Sequence, residues 1–182
     1  GQTGAATAIT DTCELFDPAA GTFSSFTPMT SPRMGHTASL LINGSVFASG
    51  GMAYTGGFIY LPTNELFIPE INAWRPATAL LEGRARQSAT VLNNGNVLIA
   101  GGYNAVDQQD WYSRDSVGVQ LIQDQGSKGY LDSVEMFDPF GARVALAGKD
   151  YDVMPYRNSS HGATLRGDSN LRLTGGYGNI PV

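Results

Sequence analysis

The sequence predicts an all-β protein built from repeated small antiparallel sheets. An apolar run ends in a glycine pair three times, at Gly50-Gly51, Gly101-Gly102 and Gly175-Gly176. A second signature, Glu-(Leu/Met)-Phe-x-Pro, begins at Glu14, Glu65 and Glu135. The first two copies of each signature have the same separation, so residues 14–51 align with 65–102 without a gap. A fixed period of about 50 residues predicts a β-propeller, in which each repeat supplies one four-stranded sheet.

The composition favours a turn-rich β protein and limits the classes of partner. The 182 residues are 42% hydrophobic and include 23 Gly and 9 Pro. The net charge is −5 and there is no basic tract, which argues against nucleic acid as a partner. No apolar run approaches the ~20 residues that a membrane helix needs. Lysine is scarce relative to arginine, which favours an extracellular or secreted setting.

Each glycine pair closes the second strand of a predicted hairpin. Two apolar runs flank Asn43-Gly44, and two others flank Asn94-Gly95. Asn-Gly is typical of a type I′ turn, whose two central residues both need positive φ. The third copy places Gly167-Asp168 at the turn. The glycine pairs themselves indicate positions where the backbone has an unusual dihedral or a close neighbour.

The Glu-(Leu/Met)-Phe segments predict third strands, and aromatic residues begin the fourth. A proline cannot donate to a β-ladder, so each segment ends at its proline: Pro18, Pro69 and Pro139. Phe23 and Trp74 follow as the first residues of fourth strands, while Val144 stands near that position in the third repeat. No segment has a 3.6-residue apolar period. Each repeat therefore reads as four antiparallel strands.

These signatures resemble the Kelch family. The resemblance is carried by the glycine pair, the Glu-aromatic-Asp-Pro strand, the aromatic at Phe23 or Trp74, and the arginine before the first strand, Arg33 or Arg84. The form is similar to the secreted, galactose-oxidase-like branch. It implies a Kelch-type β-propeller segment over residues 1–182, with repeat units at about 1–51, 52–102 and 103–176.

The strands add up to about three blade equivalents, whereas propellers have about four to eight blades. Three explanations stand. The chain is a piece of a longer propeller, which we favour; or two copies complete a six-bladed ring; or an open arc is covered by a partner. We therefore expect further blades, from a longer chain or a second copy, or a protein partner to cover the exposed sheet edges.

A long loop is the main departure from the repeat. The stretch from Gly51 to Glu65 is short, whereas its counterpart from Gly102 to Glu135 contains an insertion within 103–130. Long loops on rigid scaffolds often bind partners. Its candidate residues for binding a protein or a glycan are Trp111, Tyr112 and Arg114. The alternative is that the aromatic side chains pack on the scaffold. The spacing of Asp107, Asp110 and Asp115 matches no compact calcium motif.

Three arginines, Arg33, Arg84 and Arg157, precede the first strands of the hairpins. The Kelch resemblance implies that they form a ring near the central channel that suits ligands carrying a carboxylate. The structural alternative, which we favour, is that each arginine pairs with one of the three repeated glutamates and ties strands together.

Several other residues have a local interpretation. His36 and His161 occupy equivalent positions, with Gln87 between them, and the sequence offers no third donor for a metal. We expect them to hydrogen-bond near the hairpins. Cys13 is the only cysteine, which excludes an internal disulfide, and we expect it to be buried on a strand. Asn43 and Asn158 begin N-x-Ser sequons, which are glycosylation sites only in a secreted eukaryotic protein.

The sequence contains no serine-histidine-acid signature, phosphate-binding glycine loop or dinucleotide fingerprint. The predicted function is therefore a non-catalytic protein-interaction or structural module, without cofactor or metal. The alternative, implied by the galactose-oxidase resemblance, is a fragment of a larger carbohydrate-active or copper-radical oxidase. Its catalytic residues would lie outside this chain, because no residue here matches them.

Overall fold

The computed structural model describes residues 9–104, 129–145, 152–154, 161–168 and 170–176. Within these ranges the chain is all-β, with a single 3-10 turn at Pro69–Ile71, which confirms the predicted class. No helix there is long and apolar enough to cross a membrane. The strands are β1 (Cys13–Asp17), β2 (Thr22–Phe26), β3 (Thr37–Leu40), β4 (Val46–Ser49), β5 (Met52–Tyr54), β6 (Phe58–Tyr60), β7 (Asn64–Ile68), β8 (Ala73–Ala77), β9 (Ser88–Val91), β10 (Val97–Ala100), β11 (Ser133–Phe137), β12 (Arg143–Val144), β13 (Asp152–Val153), β14 (Gly162–Leu165) and β15 (Leu171–Thr174).

The strands form four successive antiparallel sheets and one accessory hairpin. Sheet 1 is β1–β2, sheet 2 is β3-β4-β7-β8, sheet 3 is β9-β10-β11-β12 with β13 also paired to β11, and sheet 4 is β14–β15. In the sequence, the accessory hairpin, β5–β6, comes between β4 and β7, which are the second and third strands of sheet 2. Within the described ranges the sheets do not close into a barrel or a ring.

The repeat spacing of the sequence holds for the strands as well. Strands β1 and β2 precede β7 and β8 by the same offset that separates β3 and β4 from β9 and β10. The central pair has the same register in both larger sheets, with Val46 opposite Phe67 in sheet 2 and Val97 opposite Phe137 in sheet 3. The repeat therefore fixes strand pairing, and sheet 1 corresponds to the outer half of sheet 2.

The three predicted hairpins are present, but the predicted turn type is wrong. In the first, Gly44 N donates to Leu41 O and Leu41 N donates to Ser45 O, which leaves a three-residue loop. Gly44 and Gly95 have positive φ, at +83° and +86°. A type I′ turn needs positive φ at both central residues. Asn43 and Asn94 do not have it, because among the described residues that are not glycine only Asn72 and Arg86 have positive φ. The geometry is that of a type I turn followed by a left-handed glycine.

The glycine pairs have the unusual backbone that was predicted for them. All six glycines have φ between +60° and +107°. A Cβ on Gly50 would lie 2.6 Å from the carbonyl oxygen of Arg84, and one on Gly102 would lie 2.9 Å from that of Ala85. Glycine is required here because the loop leading into the next sheet passes directly against the strand end.

The hydrophobic core lies between sheets 2 and 3. Phe47, Val97, Ile99 and Phe137 are at most 1% exposed, and the rings of Phe47 and Phe137 are 5.4 Å apart. Burying a side chain of this size stabilises the fold by about 1.5–3 kcal/mol. Sheet 1 contacts sheet 2 through Phe26 and Phe67, whose rings are 5.0 Å apart. The sheets thus follow one another in chain order, and each contacts the next.

Candidate functional site

Arg33 joins the two ends of the loop that carries β5–β6. Its Nη1 atom donates to Gly50 O at 2.7 Å and to Thr63 O at 3.0 Å. Its Nη2 atom donates to the carboxylate of Glu65 at 2.5 Å. Gly50 follows β4 and Thr63 precedes β7, so one buried guanidinium group holds both ends of this loop. We refer to this arrangement as the arginine clamp.

Arg84 forms the same clamp in sheet 3, at the base of the long insertion. Its Nη1 atom donates to Gly101 O at 2.9 Å and to Ser133 O at 3.0 Å. Its Nη2 atom donates to the Ser133 hydroxyl at 2.7 Å and to Glu135 at 3.1 Å. Glu82 adds a second carboxylate, 3.2 Å from Nη2. The two clamps therefore share their main bonds, although one loop is more than twice as long as the other.

The two clamp carboxylates have different environments. Burial raises the pKa of Glu65, but hydrogen bonds from the side chain and the amide of Thr30, together with the Arg33 guanidinium, outweigh it, so the pKa lies below its ordinary value. Burial raises the pKa of Glu135 above its ordinary value, and hydrogen bonding from Leu81 together with Arg84 only partly opposes this. Burial also lowers the pKa of Arg84. The sheet 3 clamp is therefore the more strongly desolvated of the two.

The structure places Arg33 and Arg84 inside the scaffold, where both side chains are 0% exposed. Each is bound to the glutamate of its own sheet, which is the arrangement expected if the arginines tie strands together. A direct role for them in binding a carboxylate ligand stays a prediction. Arg157 lies outside the described residues. Glu14, on β1, is exposed and contacts no arginine among the residues described.

The loop held by the Arg33 clamp presents an aromatic surface. Strands β5 and β6 pair with Met52 opposite Tyr60 and Tyr54 opposite Phe58. The rings of Tyr54 and Phe58 meet edge to face at 5.4 Å, and Tyr54 is 61% exposed. Ile59, on the same hairpin, is also exposed. Sequence reasoning missed this hairpin, although the glycine pair at Gly56-Gly57 between two short aromatic runs is a signal for it.

The two ends of the long insertion meet beside this hairpin. Tyr103 forms β-bridges to Ala85 and to Tyr130, and Leu131 N donates to Gly102 O at 2.9 Å. The ring of Tyr103 lies 5.8 Å from that of Tyr60 and 5.2 Å from that of Tyr130. This cluster, Tyr60, Tyr103 and Tyr130, links the accessory hairpin to the base of the insertion. We call the hairpin and the insertion base together the loop face.

The candidate residues of the insertion itself lie outside the described residues. They comprise the binding candidates Trp111, Tyr112 and Arg114 and the acidic residues Asp107, Asp110 and Asp115. Among the residues described, no group of three or more histidine, cysteine, aspartate or glutamate side chains is placed to hold a metal ion. The described part of the loop face is therefore aromatic, with the buried clamps beneath it.

The histidine positions mediate contact between neighbouring sheets. His161 Nε2 lies 2.8 Å from the hydroxyl of Ser88, which joins sheet 4 to sheet 3, and both residues are buried. Gln87 Nε2 donates to Ser49 O at 2.7 Å and so joins sheet 3 to sheet 2. Burial lowers the pKa of His161, which favours the neutral ring at pH 7. His161 makes the expected hydrogen bond, although the bond runs between sheets. His36 does not, because its buried Nδ1 atom has no hydrogen-bond partner among the residues described.

The two remaining candidates are Cys13, at the start of β1, and Asn43, in the turn between β3 and β4. Cys13 is half-buried on β1, and burial raises the pKa of its thiol. Asn43 is exposed; its side chain accepts from Ser45 N at 3.1 Å and donates to Pro139 O at 3.3 Å. The second sequon, at Asn158, lies outside the described residues. Glycosylation at either position stays a prediction.

Comparison with known proteins supports the fold alone. No family model and no curated protein matches the sequence. Among solved structures, the chain is similar to one described as "Structure of YjhT", with a TM-score of 0.58 and 17% sequence identity over 81% of this chain. The chain spans 46% of the length of that structure. The arrangement of small antiparallel sheets is therefore one that occurs in a larger known protein.

Proposed function

We propose that this chain is a segment of a Kelch-type β-propeller that acts as a non-catalytic interaction or structural module in an extracellular setting. The observation that carries the proposal is the repeated arginine clamp, because it fixes the base of each loop between the second and third strands. The spacing common to the first two repeats and the strand register shared by sheets 2 and 3 support the propeller arrangement. A rigid scaffold that displays loops of different length is suited to binding.

On this proposal, the loop face is the binding surface. The exposed Tyr54 and the tyrosine cluster provide rigid aromatic area, which is effective against sugar rings and protein partners alike. The insertion adds Trp111, Tyr112 and Arg114 from the same loop base. The insertion and the accessory hairpin then act as neighbouring parts of one surface, because Tyr60 and Tyr103 are in ring contact.

A deletion tests the proposed surface. Residues 107–124 are removed and replaced by a short Gly-Ser linker, which leaves Tyr103, Tyr130 and the Arg84 clamp in place. Binding is measured on an array of neutral and acidic oligosaccharides and by capture of secreted proteins on the immobilised chain. We expect the deletion to abolish binding that the intact chain shows. Unchanged binding would remove the insertion from the proposal.

A matched substitution separates the two parts of the surface. Tyr54→Ala removes the exposed aromatic side chain of the accessory hairpin without touching the insertion. If both parts contact the same ligand, each change weakens binding, and circular dichroism shows an unchanged β fold. If only Tyr54→Ala weakens binding, the hairpin alone is the binding surface.

The second candidate is the fragment of a larger carbohydrate-active or copper-radical oxidase. The observation in its favour is that the chain spans less than half of the solved structure to which it is similar. Copper analysis and an assay for hydrogen peroxide production from sugar alcohols, both on the longest natural form of the protein, test this candidate. Peroxide production that depends on copper would replace the non-catalytic proposal.

A further inference from the structure

One repeat position supplies side chains that join neighbouring sheets. The residues at this position are His36, Gln87 and His161, each directly before the first strand of its hairpin. Gln87 Nε2 donates to Ser49 O at 2.7 Å and joins sheet 3 to sheet 2. His161 Nε2 lies 2.8 Å from Ser88 Oγ and joins sheet 4 to sheet 3. Two successive junctions therefore use the same repeat position, but one uses an amide and the other an imidazole.

The two side chains respond differently to acid. An amide does not titrate, whereas a histidine ordinarily gains a proton at about pH 6.5. While the ring is neutral, Nε2 of His161 either donates to the Ser88 hydroxyl or accepts from it, since a hydroxyl does both. A second proton places an N–H on both ring nitrogens. Nδ1 of His161 is buried and has no hydrogen-bond partner among the residues described, so protonation leaves a buried donor unsatisfied.

The strands with the main contacts to β14 carry no negative charge. These strands are β9 and β15, and the charged residue among them is Arg172. The charged residues that flank β9, β14 or β15 in the described chain are Glu82, Arg84, Arg86, Arg166 and Asp168. Both carboxylates in this set are paired, Glu82 with Arg84 and Asp168 with Arg166. Burial accordingly lowers the pKa of His161, and no carboxylate among the residues described opposes it.

We propose that the contact between His161 and Ser88 is an acid-sensitive latch, which holds sheet 4 on sheet 3 at neutral pH and loosens in acid. Both residues are 8% exposed, so a protonated ring is not hydrated while the sheets stay packed. The junction between sheets 2 and 3 keeps its Gln87 bond at the same pH, because that side chain does not titrate. This inference rests neither on the proposed propeller nor on what the loop face binds.

The direction of the effect follows from the number of protons bound in each state. Burial lowers the pKa of His161 while sheet 4 is packed, so the ring binds a proton more readily once the junction opens. The latch is therefore at full strength above about pH 6.5, the ordinary value for histidine, and weakens as the pH falls below it. Raising the pH again should restore it, because only a proton is exchanged.

Hydrogen exchange tests the latch sheet by sheet. Protection of the amides of β14 and β15 is compared with that of β3 and β4 at about pH 7.5 and about pH 5.5, on either side of the ordinary histidine value of about 6.5. Protection is expressed relative to an unfolded peptide at the same pH. His161→Gln installs the residue that sheet 3 uses at this position. His36→Gln is the matched control, since it makes the same change at the other of the two histidines. The comparison holds whatever else pairs with β15, because it is a difference between variants.

In the wild type, we expect protection in β14 and β15 to fall by about fivefold or more at the lower pH, the lower end of the cost of an unsatisfied buried donor. Protection in β3 and β4 should change less. His161→Gln should abolish the fall and His36→Gln should keep it. Equal losses in sheets 2 and 4 of the wild type overturn the proposal, and this result needs no variant to fold. A fall that persists in His161→Gln, as one caused by Glu135 with its raised pKa would, overturns it too, as does a fall that His36→Gln abolishes.

Discussion

Arg84→Met tests whether a buried arginine closes the base of the long insertion. Methionine keeps much of the aliphatic volume but removes every guanidinium hydrogen bond. The lost bonds reach two strand ends, at Gly101 and Ser133, and the carboxylate of Glu135. The side chains of Arg84 and Glu135 are both 0% exposed, so water does not replace the lost partner.

The expected loss follows from that burial. Removing one member of a buried ion pair costs about 3–5 kcal/mol, because the other charge is left without compensation. Glu135 keeps part of its compensation from Leu81 N at 3.0 Å and Arg143 Nε at 3.2 Å, so we expect about 3 kcal/mol. Arg84→Lys keeps the charge but not the planar fork that reaches both strand ends, and we expect a smaller loss of about 1–2 kcal/mol.

Two measurements check these values. Urea denaturation followed by circular dichroism gives the free energy of unfolding of each variant. Hydrogen exchange reports on the loop base directly, through the amides of Gly101 and Leu131, which donate to Ser133 O and Gly102 O. In Arg84→Met both amides should exchange faster than in the wild type, and by a larger factor than the amides of β4 in sheet 2.

Arg75→Met is the matched control, because Arg75 is exposed on β8. A surface change of this kind alters stability by no more than about 0.5 kcal/mol. The clamp reasoning is refuted if Arg84→Met is as stable as Arg75→Met and the amides of Gly101 and Leu131 keep their exchange rates. Equal losses for Arg84→Met and Arg84→Lys would show that geometry matters and charge does not.

Two further predictions concern the sheet 2 clamp. Gly50→Ala and Gly44→Ala both force alanine into positive φ, but only at Gly50 does the new Cβ meet a backbone oxygen, at 2.6 Å. Gly50→Ala should therefore lower the melting temperature clearly more, and equal losses would contradict the close approach. The pKa of Glu65 lies below its ordinary value in the folded protein. Its carboxylate therefore stabilises the fold above about pH 4.3, and this stabilisation is lost as the pH falls through the folded pKa. The urea midpoint of Glu65→Gln should be lower than that of the wild type at pH 7 and approach it at pH 3. A difference between the two midpoints that is the same at both pH values would contradict this linkage.

The strands could be predicted because their limits are set by residues with one strong local requirement. Glycine pairs with positive φ end β4, β10 and β15, and prolines end or closely follow the third strands. Since the same residues recur at a fixed spacing, an error in one repeat is corrected by the other. The repeat also predicted that the repeated arginines and glutamates tie the scaffold together, whereas the assignment of Arg33 to Glu65 comes from the structure.

Features that depend on contacts distant in sequence could not be predicted in this way. The Asn-Gly dipeptide is compatible with two types of hairpin turn. The type that forms depends on the position of the last hydrogen bond before the turn, which here joins Leu41 N to Ser45 O. The bond between His161 and Ser88 joins different sheets that are far apart in the sequence. The tyrosine cluster likewise joins two loops. Local sequence identifies such residues, but only the packing of whole sheets identifies their partners.

The clamp explains how one loop can be much longer than its counterpart without disturbing the scaffold. Each doubling of loop length costs only about 0.6 kcal/mol in closure entropy, and the insertion slightly more than doubles the stretch between glycine pair and glutamate. Breaking a buried ion pair costs several times more, about 3–5 kcal/mol. Because Arg84 binds both Gly101 O and Ser133 O, the strand ends stay in place whatever lies between them. Loop sequence and scaffold stability are thus nearly independent, which is the property that a module binding its partner through this loop requires.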